Sequence, residues 1–228
     1  MISLIGVILS YMKKFLIRIL YLIIGTFFYA LGIVITIRAN IGYAPWDVFH
    51  VGLSNTTGIT IGFASIAAGT TVIVIVTLCK EKIGLGTVLS MISTGGFIDL
   101  IISLDLVPLA ANYIVGIVML IIGLFVISFG TYFYINSALG AGPRDNLMVV
   151  MKRKTKLPVG VCRSIIELSV TLAGWLLGGM VGLGTVISVF MAGLSIQVTF
   201  TLLKFDVTAV KHETFKQTWE SLTRKKDR

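Results

Sequence analysis

Apolar residues run in long blocks along this chain, at roughly 17–37, 60–79, 84–104, 111–134, 158–178 and 183–203, with most charged residues gathered in the joints between them. Each block is close to twenty residues, enough at 1.5 Å per residue to cross a hydrocarbon core of about 30 Å. The blocks are continuously apolar and do not alternate, so they predict helices and not barrel strands. An all-α polytopic membrane protein with about six transmembrane helices is expected.

The blocks repeat. Shifted by ninety-eight residues the chain matches itself without a gap: Leu22-Ile23-Ile24-Gly25 falls on Leu120-Ile121-Ile122-Gly123, and Gly32 on Gly130. Gly42-x-x-Pro45-x-Asp47 falls on Gly140-x-x-Pro143-x-Asp145, and Gly84-Leu85-Gly86-Thr87 on Gly182-Leu183-Gly184-Thr185. The expected organisation is an N-terminal segment 1–16, membrane repeats 17–104 and 111–203, and a basic tail 204–228. Three spans per repeat force the second to enter from the opposite face, as in many secondary transporters. The loops agree, since Ser54-Asn55-Thr56 corresponds to Lys152-Arg153-Lys154 and Lys80-Glu81-Lys82 to Gly178-Gly179-Met180. Basic character has been exchanged between equivalent loops, which predicts inverted repeats. Glycines spaced by seven (Gly25 and Gly32; Gly116, Gly123 and Gly130) form stripes for close helix packing or for sliding. Residues 2–10 are too short to span, and read either as an interfacial segment or as sequence ahead of a start at Met12.

Composition places the chain in a bilayer and its charge orients it. Hydrophobic residues make up 56% and charged residues 13%, half the share usual in soluble domains; the mean hydropathy is +0.99. The net charge of +9 is distributed by side. With the amino terminus in the cytoplasm, all nineteen basic residues except Arg38 fall inside, which puts both termini in the cytoplasm. That pattern points to anionic lipid headgroups at the basic loop and tail, and not to nucleic acid. Cys79 and Cys162 sit at cytoplasmic span ends and predict no disulfide. His50 and His212 form no metal-ligand spacing, so neither metal nor cofactor is expected. A phosphate loop and a Gly-x-Ser-x-Gly nucleophile are both absent from the sequence, so no enzymatic role is expected.

Chemistry concentrates at the repeated motif, Arg38-Ala39-Asn40-Ile41-Gly42-Tyr43-Ala44-Pro45-Trp46-Asp47 and its counterpart around Pro143-Arg144-Asp145. A first-turn proline with an acidic residue two later predicts a short helix in each copy, limited in the first by Gly52 and Gly58. Such helices cannot span. They are either re-entrant, bringing two positive amino-terminal ends together as a site, or interfacial, with Asp47 and Asp145 capping backbone donors. Glu167 lies near mid-membrane, one helical turn after Arg163, and is either ion-paired or proton-carrying. Asp99 and its counterpart Gln197 add a polar pair, and Arg144 opposes its helix dipole, which invites an anion. The substrate or ion-site candidates are Arg38, Asn40, Pro45, Trp46, Asp47, Asp99, Pro143, Arg144, Asp145, Arg163, Glu167 and Gln197.

At Arg38–Val48, Gly84–Thr87, Gly140–Asp145, Arg163 with Ile166-Glu167, and Gly174-Trp175-Leu176-Leu177-Gly178-Gly179, the chain resembles the YczE/YyaS/YitT-type bacterial integral membrane proteins, in particular the YczE branch. The resemblance covers nearly all of 14–203 and implies a bacterial cytoplasmic-membrane protein of about six spans. Asn146 after Pro-Arg-Asp and Lys156-Leu157-Pro158 in place of a glycine turn depart from that pattern. The leading expectation is a secondary transporter of a small organic solute. The alternatives are an accessory protein docking a partner through loop 152–156 and the tail, and a homo-oligomeric channel.

Overall fold

A computed structural model describes residues 2–81, 83–140, 142–207, 210, 213–215 and 217. Among these residues the fold is all-helical: α1 (Ile2–Arg38), α2 (Pro45–Thr57), α3 (Ile61–Leu78), α4 (Leu85–Ser103), α5 (Tyr113–Asn136), α6 (Pro143–Thr155), α7 (Val159–Leu176) and α8 (Leu183–Leu202). Six are long and apolar enough to cross a membrane, α1 from Met12 onward together with α3, α4, α5, α7 and α8. The chain is a multi-pass membrane protein, its lipid surface made by residues such as Ile114, Leu168, Leu176 and Phe190, each more than 70% exposed. Lys82, Lys211, His212, Lys216 and the basic end of the tail from Arg224 to Arg228 lie outside the described residues.

Local chemistry sets the ends. Thr60 caps α3 by accepting from Phe63 N, and Asn112 caps α5 by accepting from Val115 N. Prolines open α2 and α6, preceded by backbone of nearly one geometry: Ala44 at φ −62°, ψ 153° and Gly142 at φ −62°, ψ 154°. Gly58 closes α2 in the left-handed conformation; at the equivalent place Lys156 closes α6 at φ 60°, donating its N–H to Lys152 O. The glycine-lacking turn 156–158 therefore keeps the same cap, at a backbone cost of roughly 1 kcal/mol. The sequence expectation differs at α1, which runs without a break through residues 2–16. Residues 2–10 are helical and continuous with the span that begins at Met12.

The centre is the crossing of α1 and α5. A Cβ on Gly25 would lie 2.5 Å from Tyr134 N and 2.8 Å from Gly130 O, and one on Gly32 would lie 2.7 Å from Gly123 O. Early positions of α1 therefore meet late positions of α5, so the two helices run antiparallel with backbone against backbone. Small residues make this possible where lipid supplies no hydrophobic drive between helices. Helix α4 packs on α1, and α8 on α5.

The Gly-Leu-Gly-Thr segments lock these layers reciprocally. Gly184 N donates to Ile41 O at 2.7 Å, and Gly86 N donates to Leu139 O at 2.8 Å. Gly42 at φ 111° lies against Gly182, and Gly140 at φ 149° against Gly84. These φ values favour glycine, and a side chain there would also strike backbone. Each motif loop is thus held by the other half of the chain.

Candidate functional site

Helices α2 and α6 begin at the walls of one cavity of about 280 Å³, to which all eight helices contribute. Its lining follows the sequence repeat, since most lining positions have their ninety-eight-residue counterpart also in the wall. Examples are Pro45 with Pro143, Asp47 with Asp145, Ser65 with Arg163, Gly69 with Glu167, and Ser90 with Ser188.

Of the sequence candidates, the cavity gathers Pro45, Trp46, Asp47, Pro143, Arg144, Asp145, Arg163 and Glu167. The Arg144 guanidinium stands 4.7 Å from the Trp46 ring centroid, so the first turns of the two short helices meet. Such a contact contributes about 0.5–2 kcal/mol and fixes the plane of the guanidinium. Arg163 Nε donates to Glu167 Oε1 at 2.8 Å, so the mid-span carboxylate is neutralised from one turn away on its own helix.

Four candidates lie elsewhere. Arg38 bonds Asp105 at 2.7 Å at the far end of α1. Asn40 takes φ 53° in the turn that follows. Asp99 accepts from Thr60 Oγ1 at 2.6 Å and from Gly62 N at 2.8 Å, so its charge is spent on the first turn of α3. Gln197 is exposed on α8.

Sequence reasoning missed His50, Tyr29, Tyr134 and the serine pair 90/188 as lining residues. The serines were findable: they are hydroxyls aligned by the repeat within otherwise apolar helices. His50 follows Asp47 by one turn, with its Nδ1 3.5 Å from Asp47 Oδ1, a loose contact by hydrogen-bond standards. Asp47 is 3% exposed and His50 1%. Asp47 Oδ1, His50 Nδ1 and Ser188 Oγ are buried without a hydrogen-bond partner among the described residues. Three orphaned polar atoms on residues that line one cavity are costly in a dry interior.

The two ends of the cavity differ. Around α2 it is shut: Val48 and Phe49 backbone press on Gly174, a Cβ on Gly52 would lie 3.0 Å from Leu177 Cβ, and Asn55 donates to Gly178 O. Around α6 it is loose. Among that helix's described residues Val150 alone is buried, Asp145 is exposed, and the Arg163 side chain is 52% exposed. This end is fastened by Arg153, paired with Glu81 at 2.8 Å and donating to Cys79 O, and by Val150 and Leu147 packed with Val72 and Val76 of α3.

A family model described as a family of unknown function (DUF6198) matches residues 16–201. An uncharacterised membrane protein of Bacillus subtilis, YczE, is 33% identical over 75% of this chain and 79% of its own length. An uncharacterised protein of Haemophilus influenzae is 36% identical over 71% of this chain and 73% of its own. YyaS of Bacillus subtilis is 27% identical over 81% of this chain and 93% of its own. No solved structure matches. A family match over most of the chain, joined to YczE at this identity and coverage, makes this protein a member of the DUF6198 family of YczE-type membrane proteins.

Proposed function

We propose that this protein is a secondary transporter of a small organic solute in the bacterial cytoplasmic membrane, built of two inverted repeats that rock about the cavity between α2 and α6. The observation that carries the reading is the convergence of both Pro-x-Asp helix starts on one cavity whose walls pair off by the repeat. The antiparallel α1–α5 crossing and the matched bounds of α2 with α6 and α3 with α7 support inversion. The short helices are re-entrant on this reading, and their positive ends help to receive charge at the membrane centre. The tight α2 seam is the outer gate. The loose α6 seam, beside Lys152–Lys156, is the inner gate, so the conformation described is open to the cytoplasm. Exchange of the two seam geometries between the halves gives the opposite state.

The inversion has a direct test. Single cysteines at Asn55 and Arg153, in a background with Cys79 and Cys162 replaced by serine, are expected to react with an impermeant maleimide from opposite faces of the cell membrane. Reaction from one common face overturns the proposed inversion and topology.

Transport itself is tested in proteoliposomes incubated with a bacterial metabolite extract, with retained solutes read by mass spectrometry. Saturable, protein-dependent uptake of at least one small organic solute is expected. Non-saturating flux points to a channel. Absence of uptake for every solute in the extract overturns transport and favours the accessory-protein reading.

A further inference from the structure

The polar groups left unmatched in the cavity carry opposite charges. Arg144 forms no hydrogen bond or ion pair among the described residues; its contact is the indole face of Trp46, which leaves the edge of the guanidinium and its donors unused. Among the described residues the Asp47 carboxylate has one polar neighbour, the His50 imidazole, whose Nδ1 makes a loose contact of 3.5 Å with its buried Oδ1. Arg144 and Asp47 stand on the two helix starts, and no ion pair joins them among the described residues. The remaining charges are already engaged: Arg163 holds Glu167, and Asp145 has interactions of its own. Arg144 and Asp47 both line the one cavity, and Trp46, which carries the guanidinium, is the residue next to Asp47.

We infer that the cavity binds a small zwitterion, its carboxylate or similar oxyanion on Arg144 and its ammonium on Asp47. A guanidinium with a free edge presents a planar fork suited to a carboxylate. An ammonium supplies donors to the Asp47 carboxylate. A monopolar solute would leave one of the two charges unmatched, at the greater cost where that charge is the buried Asp47, and the site would disfavour it for that reason. The volume of about 280 Å³ suits a molecule of amino-acid size, and Ile33, Leu124, Ile127 and Val189 offer an apolar wall for its side chain. The inference rests on the transport reading for its biological sense, but binding can be measured without flux.

The test uses the purified full-length protein in detergent, titrated with the twenty protein amino acids and small betaines. Each amino acid is compared with its C-terminal amide, which carries only the cation, and its N-acetyl form, which carries only the anion. Thermal shift and calorimetry are the readouts. At least one zwitterion is expected to raise the melting temperature, with both of its monopolar forms weaker by about tenfold or more. Arg144→Gln is expected to weaken the zwitterion and the N-acetyl form while sparing the amide, and Asp47→Asn to do the reverse. Variants are accepted when monodisperse with an unchanged ligand-free melting temperature; Arg144→Lys serves if Arg144→Gln does not fold. A panel in which no zwitterion binds, or in which an amide or N-acetyl form binds as well as its parent, overturns the inference. Binding without flux leaves this inference standing and sinks the transport reading. Flux of purely anionic or cationic solutes does the opposite.

Discussion

Gly25→Val is expected to cost about 3 kcal/mol of stability or more, read as a large fall in melting temperature and in the folded fraction recovered from membranes. The new Cβ alone would sit 2.5 Å from Tyr134 N and 2.8 Å from Gly130 O. Those are backbone atoms of the other central helix and cannot rotate away, so α1 and α5 must separate. Every layer is keyed to this crossing, because α4 rests on α1 and α8 on α5. The control is Gly96→Ala on α4, where an added Cβ meets nothing within 4 Å. It should be neutral, or stabilising by up to about 1 kcal/mol through helix propensity. Equal losses in the two variants would show that glycine content matters and the crossing does not.

Gly174→Val is expected to force the outer gate open and reduce turnover by about tenfold or more, since closure of this seam is part of the proposed cycle. A Cβ at Gly174 would fall 2.5 Å from Phe49 Cα and 2.5 Å from Val48 C, driving a wedge between α7 and α2. The structural readout is chemical access. In the cysteine-free background, His50→Cys is expected to resist an impermeant thiol reagent applied from outside. Combined with Gly174→Val it should react from that side. Unchanged protection, with the double variant folded, would mean that the α2–α7 seam is no gate.

Much of the architecture was legible because each signal was local. The six apolar blocks fall within a few residues of the six spanning helices, and first-turn prolines mark the starts of α2 and α6. The repeat marks Pro45 with Pro143 and Asp47 with Asp145 as equivalent positions, while leaving open whether the two helix starts meet at a site or lie at opposite interfaces. Long-range assignments were harder. Asp99 reads as a span charge with a site to serve, yet it faces the start of α3, thirty-seven residues earlier in sequence at Gly62. Its role depends on how α3 and α4 pack, which neither periodicity nor composition fixes. His50 shows the converse: considered only as a metal ligand, it was set aside, and its burial against Asp47 appears once α2 is docked on its neighbours. The difference between the two ends of the cavity follows residues the repeat does not share, since Gly52, Gly174 and Gly179 of the tight seam correspond to Val150, Val76 and Glu81.

The docking of α2 on α7 has a consequence for how this protein is made. Val48, Phe49 and Gly52 find their backing at Gly174, Leu177 and Gly179, more than a hundred residues further along the chain. At a ribosomal pace of about 5–20 residues per second, α2 waits on the order of ten seconds for the surface it rests on. During that interval a short, amphipathic piece of nascent chain lies exposed beside the insertion machinery. Docking of α2 should therefore come late in co-translational membrane folding, once α7 has emerged, with α8 still to follow.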